Sequence, residues 1–136
     1  MPAQETLGLV FCRGIVNDLV INKGDKLMLE QYRVLDLTDE RGQLAGMMLA
    51  DLGAEVILVE PSEGSRSRAV GPFVQGREGD PEASLWFWSY NRGKRSLTLD
   101  LDTEEGQSRL KALVKGADVI IESSDVGKMA SRGLSY

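Results

Sequence analysis

The chain has 136 residues, of which 42% are hydrophobic and 27% charged, with a formal net charge of -5 and a pI near 4.8. That length can bury a core, and the composition is that of a soluble globular domain rather than a disordered or fibrous chain. The acidic balance argues against a general nucleic-acid binder, and the absence of histidine excludes serine-histidine or cysteine-histidine catalysis and histidine-based zinc sites within these residues.

Residues 1–31 are poorly patterned: "LGLVF" and "DLVI" are short apolar runs that could be strands or part of an unanchored arm. The single cysteine, Cys12, cannot form an internal disulfide, so a reducing, cytoplasmic setting is expected. No run approaches the roughly 18 apolar residues of a membrane span, and neither a membrane nor a nucleic-acid partner is expected.

From residue 32 the chain becomes regular. "YRVLDL" reads as a buried strand. "GQLAGMMLADLG" follows, with Leu44, Met47, Met48 and Leu52 at helical spacing and Gly53 where a C-terminal cap belongs, so a helix packed on the sheet through that stripe is expected. "AEVILVEP" is a nearly continuous apolar strand stopped by Pro61, which completes a right-handed βαβ unit. Residues 62–81 are rich in Gly, Ser, Pro and charge and read as a long surface loop.

"EASLWFWSYN" predicts a short helix burying Trp86, Phe87 and Tyr90, and "RSLTLDL" alternates like a strand. Thr103, followed by Glu104 and Glu105, marks the start of another helix. "ADVIIES" repeats the buried-strand pattern, and the last dozen residues suggest one short helix. The sum is an α/β fold, Rossmann-like, with a mostly parallel sheet and flanking helices. Because the alternation stops after the fourth strand, an incomplete large domain is expected.

Chemistry points to anions. In open α/β sheets ligands settle beyond the carboxyl ends of the strands, where a helix N-terminus offers free N–H groups. The turn "DLTDERGQLAG" lies at such a place, although Gly42 and Gly46 form neither a dinucleotide fingerprint nor a P-loop and could serve only a tight turn and helix packing. Glu60 occupies the strand-end position of a ribose-binding acid, with a solvated carboxylate as the plain alternative. Asp36, Asp39 and Glu40 could cap the first helix. Two basic stretches, "EGSRSR" and "NRGKR", set cations beside glycine in a way that suits phosphate. The second holds Arg92, Lys94 and Arg95, which either neutralise phosphates or pin the loop to acidic neighbours.

Taken in order, "RVLDLTDERG", "AGMMLADLGAEVILVEP", "NRGKRSLTLDL", "EEG" and "ADVIIES" resemble the N-terminal part of the family III CoA-transferases, the CaiB/BaiF family, over about residues 32–136. The resemblance implies a CoA-binding Rossmann-like domain in a homodimer whose subunits interlock like linked rings. CoA and acyl-CoA are then substrates, exchanged with a carboxylic acid, and no cofactor is covalently bound. The family's transferases pass the acyl group through an aspartate, as a mixed anhydride and then a CoA thioester.

That aspartate lies beyond Tyr136 in the family's chain, so these residues alone are expected to be inactive. A CoA- or nucleotide-binding module without catalysis and an acyl-CoA racemase-like member are the alternatives. Carried over residue by residue, Arg41 and Gly42 form the first CoA-contacting turn, which lacks the usual "AGP" and is one residue shorter. Leu99, Asp100, Leu101 and Asp102 match a segment beside the adenosine, after the basic knot of Arg92, Lys94 and Arg95. Ser123 and Ser124 replace the last two residues of the family's "ENF". Pro61 and Ser131 stand where relatives place arginines. The pattern marks a divergent branch.

Overall fold

The computed structural model describes residues 26–134. The N-terminal stretch read as an arm or two short strands lies largely outside them. In chain order the elements are β1 (Arg33–Leu37), α1 (Gln43–Asp51), β2 (Glu55–Glu60), a 3-10 turn (Arg66–Ala69), α2 (Leu85–Asn91), β3 (Arg95–Thr98), α3 (Glu104–Val114), β4 (Val119–Glu122) and α4 (Lys128–Ser131).

All four strands are parallel, in the order β3-β2-β1-β4. The chain winds from β1 outward to β3, then crosses back to place β4 on the other side of β1. That reversal is the topological switch of a Rossmann-like sheet. The expected α/β class and parallel sheet are present.

Alternate residues of the buried strands feed two cores. Leu35 and Val59 pack with Leu99 and Leu110 of the α3 side, while Val34 and Val56 pack with Ala54, Leu49 and Ala50 of the α1 side. Helix α3 starts as its sequence predicts: the Thr103 side chain accepts from the Gly106 N–H, and Glu104 and Glu105 occupy the first turn. Gly53, at φ 103°, follows α1 in the left-handed conformation that ends helices.

Helix α1 corrects one expectation. Leu44, Met48 and Leu52 of its apolar stripe are 49%, 54% and 42% exposed, and the side facing the sheet is Gln43 and Gly46 with Leu49 and Ala50. The reason lies on β1, which carries Asp36 fully buried. Where the helix passes over that carboxylate it offers polar atoms and close approach, through Gln43 and Gly46.

The acids near β1 also differ from their predicted capping role. The N-cap of α1 is Gly42, without a side-chain capping bond. Asp36 accepts from Thr38 and Lys94, and Asp39 from Arg41 and Ser123. In α2, Phe87 is buried as expected, while Trp86 and Tyr90 are only partly covered and stack at a ring-centroid distance of 4.3 Å. Nor is the long loop wholly at the surface: Ser65, Ser67 and Arg68 turn inward and are buried.

Candidate functional site

A cleft of about 350 Å³ opens at the carboxyl ends of the strands. Each strand lends it the segment that follows. Leu37, Asp39 and Arg41 come after or at the end of β1, and Pro61 through Arg66 after β2 contribute Glu63, Gly64 and Ser65. Leu99, Asp100, Leu101 and Asp102 follow β3; Ser123, Ser124 and Asp125 follow β4, with Lys128, Met129 and Arg132 beyond them. Four cations, six carboxylates (Asp39, Glu60, Glu63, Asp100, Asp102 and Asp125) and an apolar strip thus share one crevice at the switch point. Charged groups of both signs stand there beside apolar side chains, the mix of a site that orients a ligand by a few polar contacts.

The turn after β1 is held by its own charges. Arg41 donates to both carboxylate oxygens of Asp39 and, at 2.6 Å, to the Ser123 carbonyl, which ties β1 to β4 across the switch. Asp39 also receives the Ser123 hydroxyl at 2.8 Å. The Arg41 guanidinium holds the Asp39 carboxyl well below the usual range. Arg41 therefore has a structural duty as well as a place at the rim, where its side chain is 55% exposed.

Glu60 is neither a free ribose acceptor nor a solvated carboxylate. It is 3% exposed and takes bonds from Arg68 on both oxygens at 2.7 and 2.9 Å, from the Ser65 N–H and from the Ser96 hydroxyl. Burial pushes its pKa up, but the Arg68 pair and the two other donors more than offset this and leave the carboxyl below its ordinary value. The sign follows: a carboxylate with a depressed folded pKa contributes stability that is present above its unfolded pKa, roughly 4.3, and is lost as pH falls through the folded value. The melting temperature followed by circular dichroism should therefore fall from pH 5 toward pH 3, less steeply in Glu60→Gln than in the unsubstituted chain. Equal slopes in both would refute the assignment.

Each cation of the basic knot has an acidic partner. Lys94 is 5% exposed, and its ammonium contacts Asp36 Oδ2 at 2.7 Å, the Gln43 carbonyl at 2.9 Å and Asn91 Oδ1 at 2.9 Å. Desolvation lowers its pKa against the opposing pull of Asp36. Arg92 pairs with Asp51 at 2.6 Å, and Arg95 pairs with Glu55 at the amino end of the sheet, opposite the cleft. None of the three lines the cleft, and Gly42 does not either.

Gly42 sits against Thr38, where an added Cβ would come within 2.8 Å of the threonine side chain. Of the residues singled out by sequence, the cleft gathers Asp39, Arg41, Glu60, Pro61, Leu99, Asp100, Leu101, Asp102, Ser123 and Ser124. Sequence reading passed over Lys128 and Arg132, which reach the cleft only because α4 folds back over the β3–α3 segment: Arg132 donates to Asp102. Their one sequence signal is two cations flanking a short helix after the last strand. Among the described residues no group of His, Cys, Asp or Glu could hold a metal ion, and no helix is long and apolar enough to cross a membrane.

A model of CoA-transferase family III matches residues 29–136. The chain belongs to that family. It is 42% identical over 106 residues to the succinyl-CoA:(R)-benzylsuccinate CoA-transferase subunit BbsE of Thauera aromatica, a match that covers 78% of this chain and 26% of that protein. Against the succinate–glutarate CoA-transferase of Agrobacterium fabrum the identity is 43% over 111 residues, covering 79% and 28%. The crystal structure of a CaiB/BaiF family protein from Brucella suis is similar with a TM-score of 0.73 at 39% identity, over 82% of this chain and 30% of that one. The chain thus spans roughly a quarter of the length of these curated relatives.

Proposed function

We propose that this family III chain provides the CoA-binding crevice of a CoA-transferase, which exchanges CoA between an acyl-CoA and a carboxylic acid. The observation that carries the reading is the cleft at the carboxyl ends of the strands, lined by Arg41, Arg66, Lys128 and Arg132 beside Leu99, Leu101 and Met129. Cations there suit the phosphates of CoA, and the apolar strip suits the adenine or the pantetheine arm.

In this reading the described residues bind and orient CoA. The acyl group passes to an aspartyl carboxylate outside residues 1–136, so this stretch by itself binds but does not turn over. A homodimer with interlocked subunits and a cytoplasmic location belong to the same reading. The names of the two relatives, which pair succinate or succinyl-CoA with glutarate or benzylsuccinate, support a dicarboxylate as the acid substrate.

The test is calorimetric titration of the folded chain with CoA at low and at physiological salt. Saturable binding that weakens with salt is expected, because phosphate contacts made by exposed cations are screened. A chain that keeps its circular dichroism spectrum and gives no heat with CoA would falsify the reading.

A further inference from the structure

One pair of charges inside the cleft has the form of an occupied receptor. The Arg132 Nε and Nη2 atoms donate to the two carboxylate oxygens of Asp102 at 2.7 and 2.9 Å. Arg132 is set into the wall, with its side chain 19% exposed, whereas Asp102 is 71% exposed and reaches in from the loop before α3. Lys128, the first residue of α4, lines the same cleft as Asp102 and Arg132 and brings a second positive charge to it. A two-point guanidinium fork with a neighbouring ammonium fits a phosphate group as well as a carboxylate, and a phosphate brings more acceptor oxygens and more charge.

The partner now in that fork is also the one most easily removed. An exposed carboxylate gains little from its ion pair, because water solvates it nearly as well. The cation set into the wall has more to gain from a replacement anion. Asp102 and Arg132 both line the cleft, so a ligand lying in it meets the pair directly.

We propose that Asp102 is an internal anion seated in a phosphate receptor made by Arg132 and Lys128, and that a phosphate group of the bound nucleotide takes its place. The proposal rests on the CoA-binding reading and adds a residue that sets affinity. Asp102 competes with the ligand, Arg132 holds whichever anion wins, and affinity rises when the competitor is neutralised.

The experiment is a titration of the 136-residue chain and of Asp102→Asn, Arg132→Gln and the double variant with CoA and with dephospho-CoA. Asp102→Asn should bind CoA about two- to five-fold more tightly, the range expected for releasing an exposed ion pair. Arg132→Gln should bind about ten-fold or more weakly, as for the loss of a charged hydrogen-bond donor. In the Arg132→Gln background the Asp102→Asn gain should vanish. If the gain is confined to CoA, the 3′-phosphate occupies the seat; if dephospho-CoA shows it too, the diphosphate does.

Unchanged or weaker binding by Asp102→Asn would overturn the proposal, as would a gain that persists without Arg132, since that reports only the general field of the cleft. Absence of CoA binding by the unsubstituted chain and all variants alike would instead bring down the CoA reading itself.

Discussion

Replacing Lys94 by methionine should cost about 3–5 kcal/mol of folding stability, the range for breaking a buried ion pair from one side. The substitution removes an ammonium that touches Asp36, the Gln43 carbonyl and Asn91 at once, and it leaves the Asp36 carboxylate fully buried with only Thr38 as a donor. A small domain has about 5–15 kcal/mol in all, so the loss is a large share. Urea denaturation measures it directly. Since the cost is the orphaned charge, the double variant Asp36→Leu/Lys94→Met should recover part of it, and a single variant within about 1 kcal/mol of the parent would show that the pair bears no such weight.

Gly46→Ala should also destabilise, by about 1–3 kcal/mol, although it places the best helix former in the middle of a helix. An ideal Cβ at Gly46 falls 2.1 Å from Asp36 Oδ2, 2.9 Å from its Cγ and 3.0 Å from Lys94 Nζ. There is no room for a methyl group without dislodging the ion pair. The check is again urea denaturation, repeated in an Asp36→Ala/Lys94→Ala background, which removes the atoms that the added methyl group would strike. There the sign should move toward neutral, because a change that is costly only through a neighbour loses its cost with the neighbour.

Elements with local signals were legible in the sequence. The apolar runs of β1, β2 and β4 and the Thr103 cap each lie within a few residues of what produces them, and each is present. Long-range charge pairing was not legible. Lys94 and Asp36 are 58 residues apart, Arg92 and Asp51 41, Arg95 and Glu55 40, so the cluster "NRGKR" shows its cations and hides their partners.

The face of α1 was misread for a related reason. Its leucines and methionines suggest an apolar contact, while the decisive feature is one aspartate on the strand beneath. The position of the cleft followed from topology, since the crevice of a switched parallel sheet lies beyond its carboxyl ends whatever the side chains. Which cations reach it depends on α4, a four-residue helix whose docking no periodicity announces.

The two flanks of the crevice are fastened by different means. After β2, the chain is bolted through the buried Glu60–Arg68 pair and through Gln43, which bonds Ser65 and Asn91 and so ties that flank to the sheet interior. The α4 flank is held by Met129 and Leu134, packed against the core of Leu35, Val59, Leu99 and Leu110, and by ion pairs with a water-facing partner, Arg132 to Asp102 and Arg41 to Asp125. Acid and salt should therefore act on opposite jaws of the crevice: protonating Glu60 weakens the β2 side, while raised ionic strength weakens the exposed pairs of the α4 side and leaves its apolar packing in place.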